Sequence, residues 1–249
     1  MKCWRRMRRT FCPPDADLAE QGDIDMAGGP AVRGRHNTID SGLKGLVFDV
    51  DGVMFDSRRS NIEYYNLIRH AVQLAPISAE EEDFCHMASV DEALERIIPP
   101  RRREKARDAA GKINYTTRIL PMLSLEPGLP EALFWLRQKG VRLAILTNRN
   151  NSVAELLRYF SLESFFSPVM TAGNSPPKPH PAGLMSIVEA WKVDARRIAF
   201  LGDSSVDEQA AGSAGVPFWA FRNKALNADL HVSDFFQMMQ RVAPLVKDG

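Results

Sequence analysis

Several features that mark whole classes of protein are missing from this sequence. Its three cysteines, Cys3, Cys12 and Cys85, are an odd number at no metal-ligand spacing. A disulfide framework is excluded on that count, and a reduced, cytoplasmic chain is the expectation. No run approaches the ~18 apolar residues that a membrane span requires, so no membrane partner is expected. The formal net charge is +1 over 249 residues, which leaves no overall field to draw in nucleic acid. No internal repeat is visible, and nothing in the sequence bears on oligomeric state.

Residues 1–40 also lack sustained periodicity. "MKCWRRMRRTFC" is basic and "PPDADLAEQGDID" follows it with no apolar segment between them. Neither a secretory nor a twin-arginine signal is expected on that pattern. Rich in Gly, Pro and charge, the stretch reads as a disordered extension, with Met26 an alternative start.

What remains has ordinary globular composition, 45% hydrophobic and 25% charged. Residues 46–48, 141–146, 198–201 and 216–221 form apolar runs that read as strands. Val153, Leu156, Leu157 and Phe160 follow the i, i+3, i+4, i+7 pattern of one helix face, as do Leu184, Ile187, Val188 and Trp191, and Phe235, Met238, Met239 and Val242. Strand–helix alternation of this kind predicts an α/β fold with a doubly wound, Rossmann-like parallel sheet. Between residues 57 and 125 the alternation stops. There Ser78 with Glu81 and Ser89 with Glu92 each fit a capping box. The expected organisation is a core of residues 41–56 and 126–249, interrupted by an all-helical cap of residues 57–125.

In open parallel sheets ligands bind outside the carboxyl ends of the strands. The first strand ends in Asp49 and Asp51, the second in Thr147 and Asn148, and the third in Gly202 and Asp203 with Asp207 four residues on; Lys178 lies between the last two, in "SPPKPHP". Four carboxylates and one lysine leave negative charge uncompensated, and a hard divalent cation, Mg²⁺ above all, would relieve it. A carboxylate can attack phosphorus to give an aspartyl-phosphate, and a second one two residues along can move the proton. Thr147, Asn148 and Lys178 are the candidates to hold the phosphate. Alone, D-x-D-G is a weak signal. An EF-hand would need an acid or amide where Val53 stands and a Glu where Ser60 stands. The order D-x-D-G, T-N, K-P, G-D-x-x-x-D is what gives the pattern its specificity.

With "FDVDGVMFDS", "LTN", "KPHP" and "GDSSVDEQAAGSAGV" in that order, the chain resembles haloacid dehalogenase superfamily phosphohydrolases, in the subgroup of phosphoglycolate phosphatases and β-phosphoglucomutases. The resemblance implies that Asp49 is the nucleophile and Asp51 the general acid/base. It further implies that Thr147 binds the transferring phosphoryl group and Lys178 neutralises it. Mg²⁺ would sit on the side chains of Asp49 and Asp203 and the backbone carbonyl of Asp51, with Asp207 acting through the metal's water or positioning Lys178. The partner is then a small phosphorylated metabolite of the phosphoglycolate or sugar-phosphate class. A phosphomutase is the alternative, although no cap signature of one is clear. A dehalogenase would lack the acid at Asp51, a phosphonate hydrolase would need a marked cap lysine, and a non-catalytic binding protein would have lost a core acid.

Other residues invite two readings. Arg101, Arg102, Arg103, Lys105 and Arg107 read as a solvated helix face, with the drawing-in of anionic substrates as the alternative. Cys85 and His86 read as packing residues, since no second ligand lies at metal spacing, and residues 85–89 as the substrate-facing cap segment. Arg149 either reaches a substrate carboxylate or phosphate or faces solvent. His180 reads as a helix-start residue.

Overall fold

In a computed structural model the protein is described at residue 39, residues 42–150 and residues 152–246. The extension expected over residues 1–40 lies outside the described residues, Ile39 excepted. Among the described residues the first elements are strand β1 (Gly45–Phe48) and a two-residue strand β2 (Phe55–Asp56). Helices α1 (Arg58–Ala71), α2 (Ala79–Met87), α3 (Val90–Ile97), α4 (Arg103–Lys112) and α5 (Tyr115–Arg118) follow. Then come β3 (Ser124–Leu125), α6 (Leu129–Gln138), β4 (Arg142–Leu146), α7 (Ser152–Tyr159), β5 (Val169–Met170) and α8 (Ala182–Trp191). The chain finishes with β6 (Ile198–Gly202), α9 (Ser205–Ala214), β7 (Phe218–Phe221), β8 (Leu230–Val232) and α10 (Phe235–Val242).

The fold is α/β, with a six-stranded parallel sheet in the order β5-β4-β1-β6-β7-β8 and an inserted run of helices. β1 is central, pairing Gly45 with both Arg142 of β4 and Ile198 of β6. That position explains its unbroken apolar sequence, since a parallel strand inside a sheet is covered on both faces. Its side chains divide by the period of two. Leu46 and Phe48 enter the core shared with α6, α7 and α10, whereas Val47 enters the one shared with α8 and α9. Helices on both faces thus make the sheet doubly wound.

The inserted helices have an apolar cluster of their own, built from Tyr65, Ile68, Cys85, Leu94, Ile97 and Ala106 among others. Both capping boxes form: the Ser78 and Ser89 hydroxyls accept from the Glu81 and Glu92 N–H groups, whose side chains bond back. Such caps are typically worth ~1 kcal/mol each. The insert is not helical to its ends. Phe55 pairs with Leu125 and Asp56 with Ser124 in an antiparallel ribbon that closes its base. The basic run is also only partly a solvated face. Arg102 donates to the Val72 and Gln73 carbonyls beyond α1, and Arg103 to the Glu95 and Ile98 carbonyls around the end of α3. These long side chains satisfy helix-terminal acceptors that would otherwise need water. Among the described residues no helix is long and apolar enough to cross a membrane.

Candidate active site

The carboxyl ends of β1, β4 and β6 converge because these strands are neighbours in register. Asp49 continues β1, its N–H bonded to the Leu201 carbonyl at 2.9 Å, and is buried. Thr147 continues β4, donating its N–H to the Met170 carbonyl at 3.0 Å. Lys178 comes from the loop before α8. There the Asn148 side chain clamps the loop's backbone, accepting from Lys178 N–H at 2.6 Å and donating to its carbonyl at 3.0 Å.

The Lys178 ammonium lies 2.7 Å from Asp49 Oδ1 and 2.6 Å from Asp207 Oδ1, and only 3% of its side chain is exposed. Burial would lower this lysine's pKa, but Asp207 and Asp49 hold it above the ordinary lysine value. Asp207, fully buried, has its other oxygen bonded by the backbone N–H groups of Asp203 and Ser204 and by the Ser204 hydroxyl. Both of its oxygens are therefore used within the protein. Gly202 is what lets Asp207 pack here: a Cβ on it would lie 2.5 Å from the Asp207 Cβ.

Asp49 and Asp203 are in a different state. Burial pushes the Asp49 carboxyl up to about 7, with Lys178 opposing and Asp207 and Asp51 adding to the rise. Despite its ion pair, Asp49 Oδ1 has no well-aligned hydrogen bond among the described residues. Burial, with Asp207 and Asp49 alongside, also raises Asp203 well above the carboxylate range. Ligand oxygens of Asp49, Asp203 and Asp207 lie within 4.8 Å of one another. Among the described residues, Asp49 Oδ1 lacks an aligned hydrogen bond and none reaches the Asp203 carboxylate, beside a third acid whose oxygens are satisfied. That set fits a small, hard divalent cation held mainly by Asp49 and Asp203. Gly52 makes room for this arrangement. It takes φ +73°, and a Cβ there would meet Asp203 Oδ2 at 2.1 Å.

Asp51 is held by Arg149, which donates from Nε to Oδ2 and from Nη2 to Oδ1, both at 2.6 Å. Burial would raise the Asp51 carboxyl, but the guanidinium outweighs it and keeps the group well below the usual carboxylate range. Arg149 also donates to Asn61 Oδ1 at 3.2 Å and to the Tyr115 hydroxyl. Of the two readings offered for Arg149, solvent exposure is thus wrong. The buried Ser57 hydroxyl faces Asp51 closely enough to favour its charge, without the alignment of a hydrogen bond.

Asp49, Asp51, Thr147, Asn148, Lys178 and Asp203 all line one cavity of about 230 Å³ between the sheet edge and the inserted helices. Asp207 stands behind it. Asn148 differs from expectation. Its amide is used by Lys178 and by the Met87 carbonyl at the end of α2, 3.0 Å away, so only its backbone N–H remains for a phosphate. His86 lines the cavity too, contacting Asn61 at 3.3 Å, while its neighbour Cys85 joins the insert's core. Sequence reasoning missed Asn61 and Tyr115 altogether, because only tertiary packing brings α1 and α5 to Arg149. His180 accepts from the Ala182 N–H at the start of α8, as a helix-start residue should.

The model of the haloacid dehalogenase-like hydrolases matches residues 46–221. The chain is 29% identical over 201 residues to the phosphoglycolate phosphatase of Escherichia coli (strain K12), spanning 70% of this chain and 79% of that one. A solved subfamily IA, variant 1 hydrolase of the superfamily from Geobacter sulfurreducens PCA superposes with a TM-score of 0.67 at 34% identity, over 82% of this chain and 99% of that one. A predicted phosphoglycolate phosphatase from Haemophilus somnus 129pt gives a TM-score of 0.72 at 23% identity, over 80% and 97%. At that lower identity the likeness is one of fold.

Proposed function

The chain belongs to the haloacid dehalogenase-like hydrolases, and on that premise we propose that it is a Mg²⁺-dependent phosphatase acting on a small phosphorylated metabolite through an aspartyl-phosphate on Asp49. The observation that carries this reading is Lys178 bridging Asp49 and Asp207, with the Asp203 carboxylate clustered beside them within 4.8 Å. A buried lysine and a cation site flanking one aspartate suit a nucleophile that must receive a phosphoryl dianion.

In this mechanism an Asp49 oxygen attacks phosphorus and the bond to the leaving oxygen breaks. Asp51 supplies the proton that the leaving oxygen takes. Water then attacks the aspartyl-phosphate and loses its proton to Asp51, and the Asp49–phosphorus link breaks to release inorganic phosphate. The Asp49 and Asp203 side chains and the Asp51 carbonyl would hold Mg²⁺, which when bound supplies the positive charge that lets carboxylates and a phosphate share one pocket. The Thr147 hydroxyl and the Asn148 backbone N–H, with Lys178, stabilise the equatorial oxygens. Asp207 fixes the Lys178 ammonium in place. Residues 57–125 act as the cap that keeps bulk water from the reacting atoms.

The cavity of about 230 Å³ suits a metabolite of a few carbons. The related phosphoglycolate phosphatases make that compound, alongside sugar phosphates, a first choice for assay. The test is phosphate release from a panel of phosphorylated metabolites with and without Mg²⁺. Release that needs Mg²⁺ and vanishes in Asp49→Asn is the expected result. A folded protein that releases none from any of them would refute the reading.

A further inference from the structure

Arg149 poses a problem for the mechanism above. Its guanidinium grips both oxygens of the carboxylate assigned to carry the proton, at 2.6 Å each. The pair is largely buried, with 9% of the Arg149 side chain and 13% of the Asp51 side chain exposed. A carboxylate gripped at both oxygens in a shielded ion pair has neither oxygen turned to a leaving group. The contact is not an incidental surface bridge, because the inserted helices brace it: Tyr115 accepts from Nη1, and Asn61 accepts from Nη2 while its own amide lies 3.4 Å from Asp51 Oδ1. An arginine built in so firmly should serve something that enters the cavity.

The charges lining the cavity point to what that is. Lys178 and Arg149 are the lysine and arginine in its wall, and Lys178 is already engaged between Asp49 and Asp207. A substrate bearing a second anionic group besides its phosphate would therefore find Arg149 as the cation within reach. Burying that anion unpaired would be costly, whereas exchanging it for the Asp51 carboxylate keeps every donor of the guanidinium satisfied.

We infer that Arg149 is a latch on Asp51, opened when a second anionic group of the substrate takes the carboxylate's place on the guanidinium. Released from the guanidinium, Asp51 takes up a proton from solvent and is then free to turn to the leaving oxygen. A phosphate ester with a neutral tail leaves the latch shut and is turned over without its proton carrier. Discrimination thus falls on kcat more than on binding, because the exchange is coupled to the chemical step. This rests on the phosphatase reading and on the role given there to Asp51.

The test compares three esters built on a two-carbon unit: 2-phosphoglycolate with a carboxylate tail, ethylene glycol bisphosphate with a phosphate tail, and 2-hydroxyethyl phosphate with a neutral one. The wild type should turn over at least one anionic-tailed ester with a kcat ~10² or more above the neutral one, the typical worth of a proton carrier. Which anionic tail gains identifies the group that Arg149 accepts. R149Q should collapse that preference from both sides, slowing the anionic-tailed ester and speeding the neutral one, since the guanidinium no longer holds Asp51 and leaves it the weak 3.4 Å contact from Asn61 Nδ2. R149K, which keeps the charge but not the fork, should fall between. Equal loss on every ester in both variants would mean that Arg149 only braces the fold, and would overturn the inference. So would a wild type indifferent to the tail, a result that needs no variant to fold. If the wild type releases no phosphate with Mg²⁺ from these esters, from an aryl phosphate or from the wider panel of phosphorylated metabolites, the phosphatase reading falls and the latch with it.

Discussion

Replacing Lys178 with methionine would test the electrostatics of the site in isolation from turnover. Methionine fills much of the same space, so the change removes a charge more than a volume. The ammonium it deletes lies 2.7 Å from Asp49 and 2.6 Å from Asp207, in a position that water barely reaches. Deleting one partner of a buried ion pair typically costs ~3–5 kcal/mol, because the remaining charge has no compensation. Here two carboxylates are left, and protonation can relieve one of them. Asp49 already titrates at about 7 with Lys178 opposing the rise, so without the lysine its pKa must climb further. The native variant then holds a proton that the unfolded chain has released, and its stability falls as pH rises toward that higher pKa. Urea unfolding in the presence of a chelator should show a loss of ~3–5 kcal/mol at pH 8 and a clearly smaller one at pH 5.5. A loss under ~1 kcal/mol at pH 8, the level of a surface pair, would mean that the lysine does not neutralise this cluster.

Three further outcomes are expected. Gly52→Ala places a methyl group where Asp203 Oδ2 lies and forces alanine to φ +73°; it should cost ~1–2 kcal/mol of stability, and Mg²⁺ titration should show a higher half-saturating concentration. An unchanged Mg²⁺ requirement there would remove Asp203 from the metal site. Because Asp49 is raised from 3.8 to about 7, its contribution to stability is greatest at low pH and is lost as pH rises through 7. In a chelator the wild-type Tm should accordingly fall more steeply than that of Asp49→Asn between pH 5 and 8, and Mg²⁺ should lift the wild type most at pH 8. Asn148→Ala frees the Met87 carbonyl and the Lys178 backbone together; hydrogen exchange should quicken at the end of α2 and around Lys178, and exchange confined to one of the two segments would contradict the clamp.

Where sequence pattern was sufficient, the reason is local. β1 and β6, and β4 beyond its exposed Arg142, are buried on both faces and so read as apolar runs, and the two capping boxes need only residues three apart. β5 and β8 were not expected, because edge strands of two and three residues carry neither a long run nor a clean alternation. The β2–β3 ribbon is likewise two residues a side and joins segments separated by the whole insert, which no window of sequence can reveal. Predicted strand ends moved by one or two residues, the usual scatter of such boundaries. The candidate site was legible because Asp49 and Asp203 directly follow strands, with Asp51 and Asp207 two and four residues beyond them. What could not be read was partnership. Arg149 reaches Asp51 across 98 residues, and the Asn148 amide turned out to join Lys178 to the insert. Those contacts arise only from the packing of the insert on the sheet edge.

The proposal stands or falls on whether Asp49 carries the phosphoryl group. Asp51→Asn keeps the nucleophile but removes the proton carrier, a change typically worth ~10²–10⁴ in rate. An aryl phosphate leaves without needing a proton, so attack by Asp49 should survive in part, whereas hydrolysis of the aspartyl-phosphate has lost its base. Rapid-quench kinetics on this variant with Mg²⁺ and an aryl phosphate should show one equivalent of phenol in a burst and then a stall. Intact-mass and peptide analysis should find one added phosphoryl group, on Asp49. Steady turnover with no burst, or a phosphoryl group still captured by Asp49→Asn, would contradict the account.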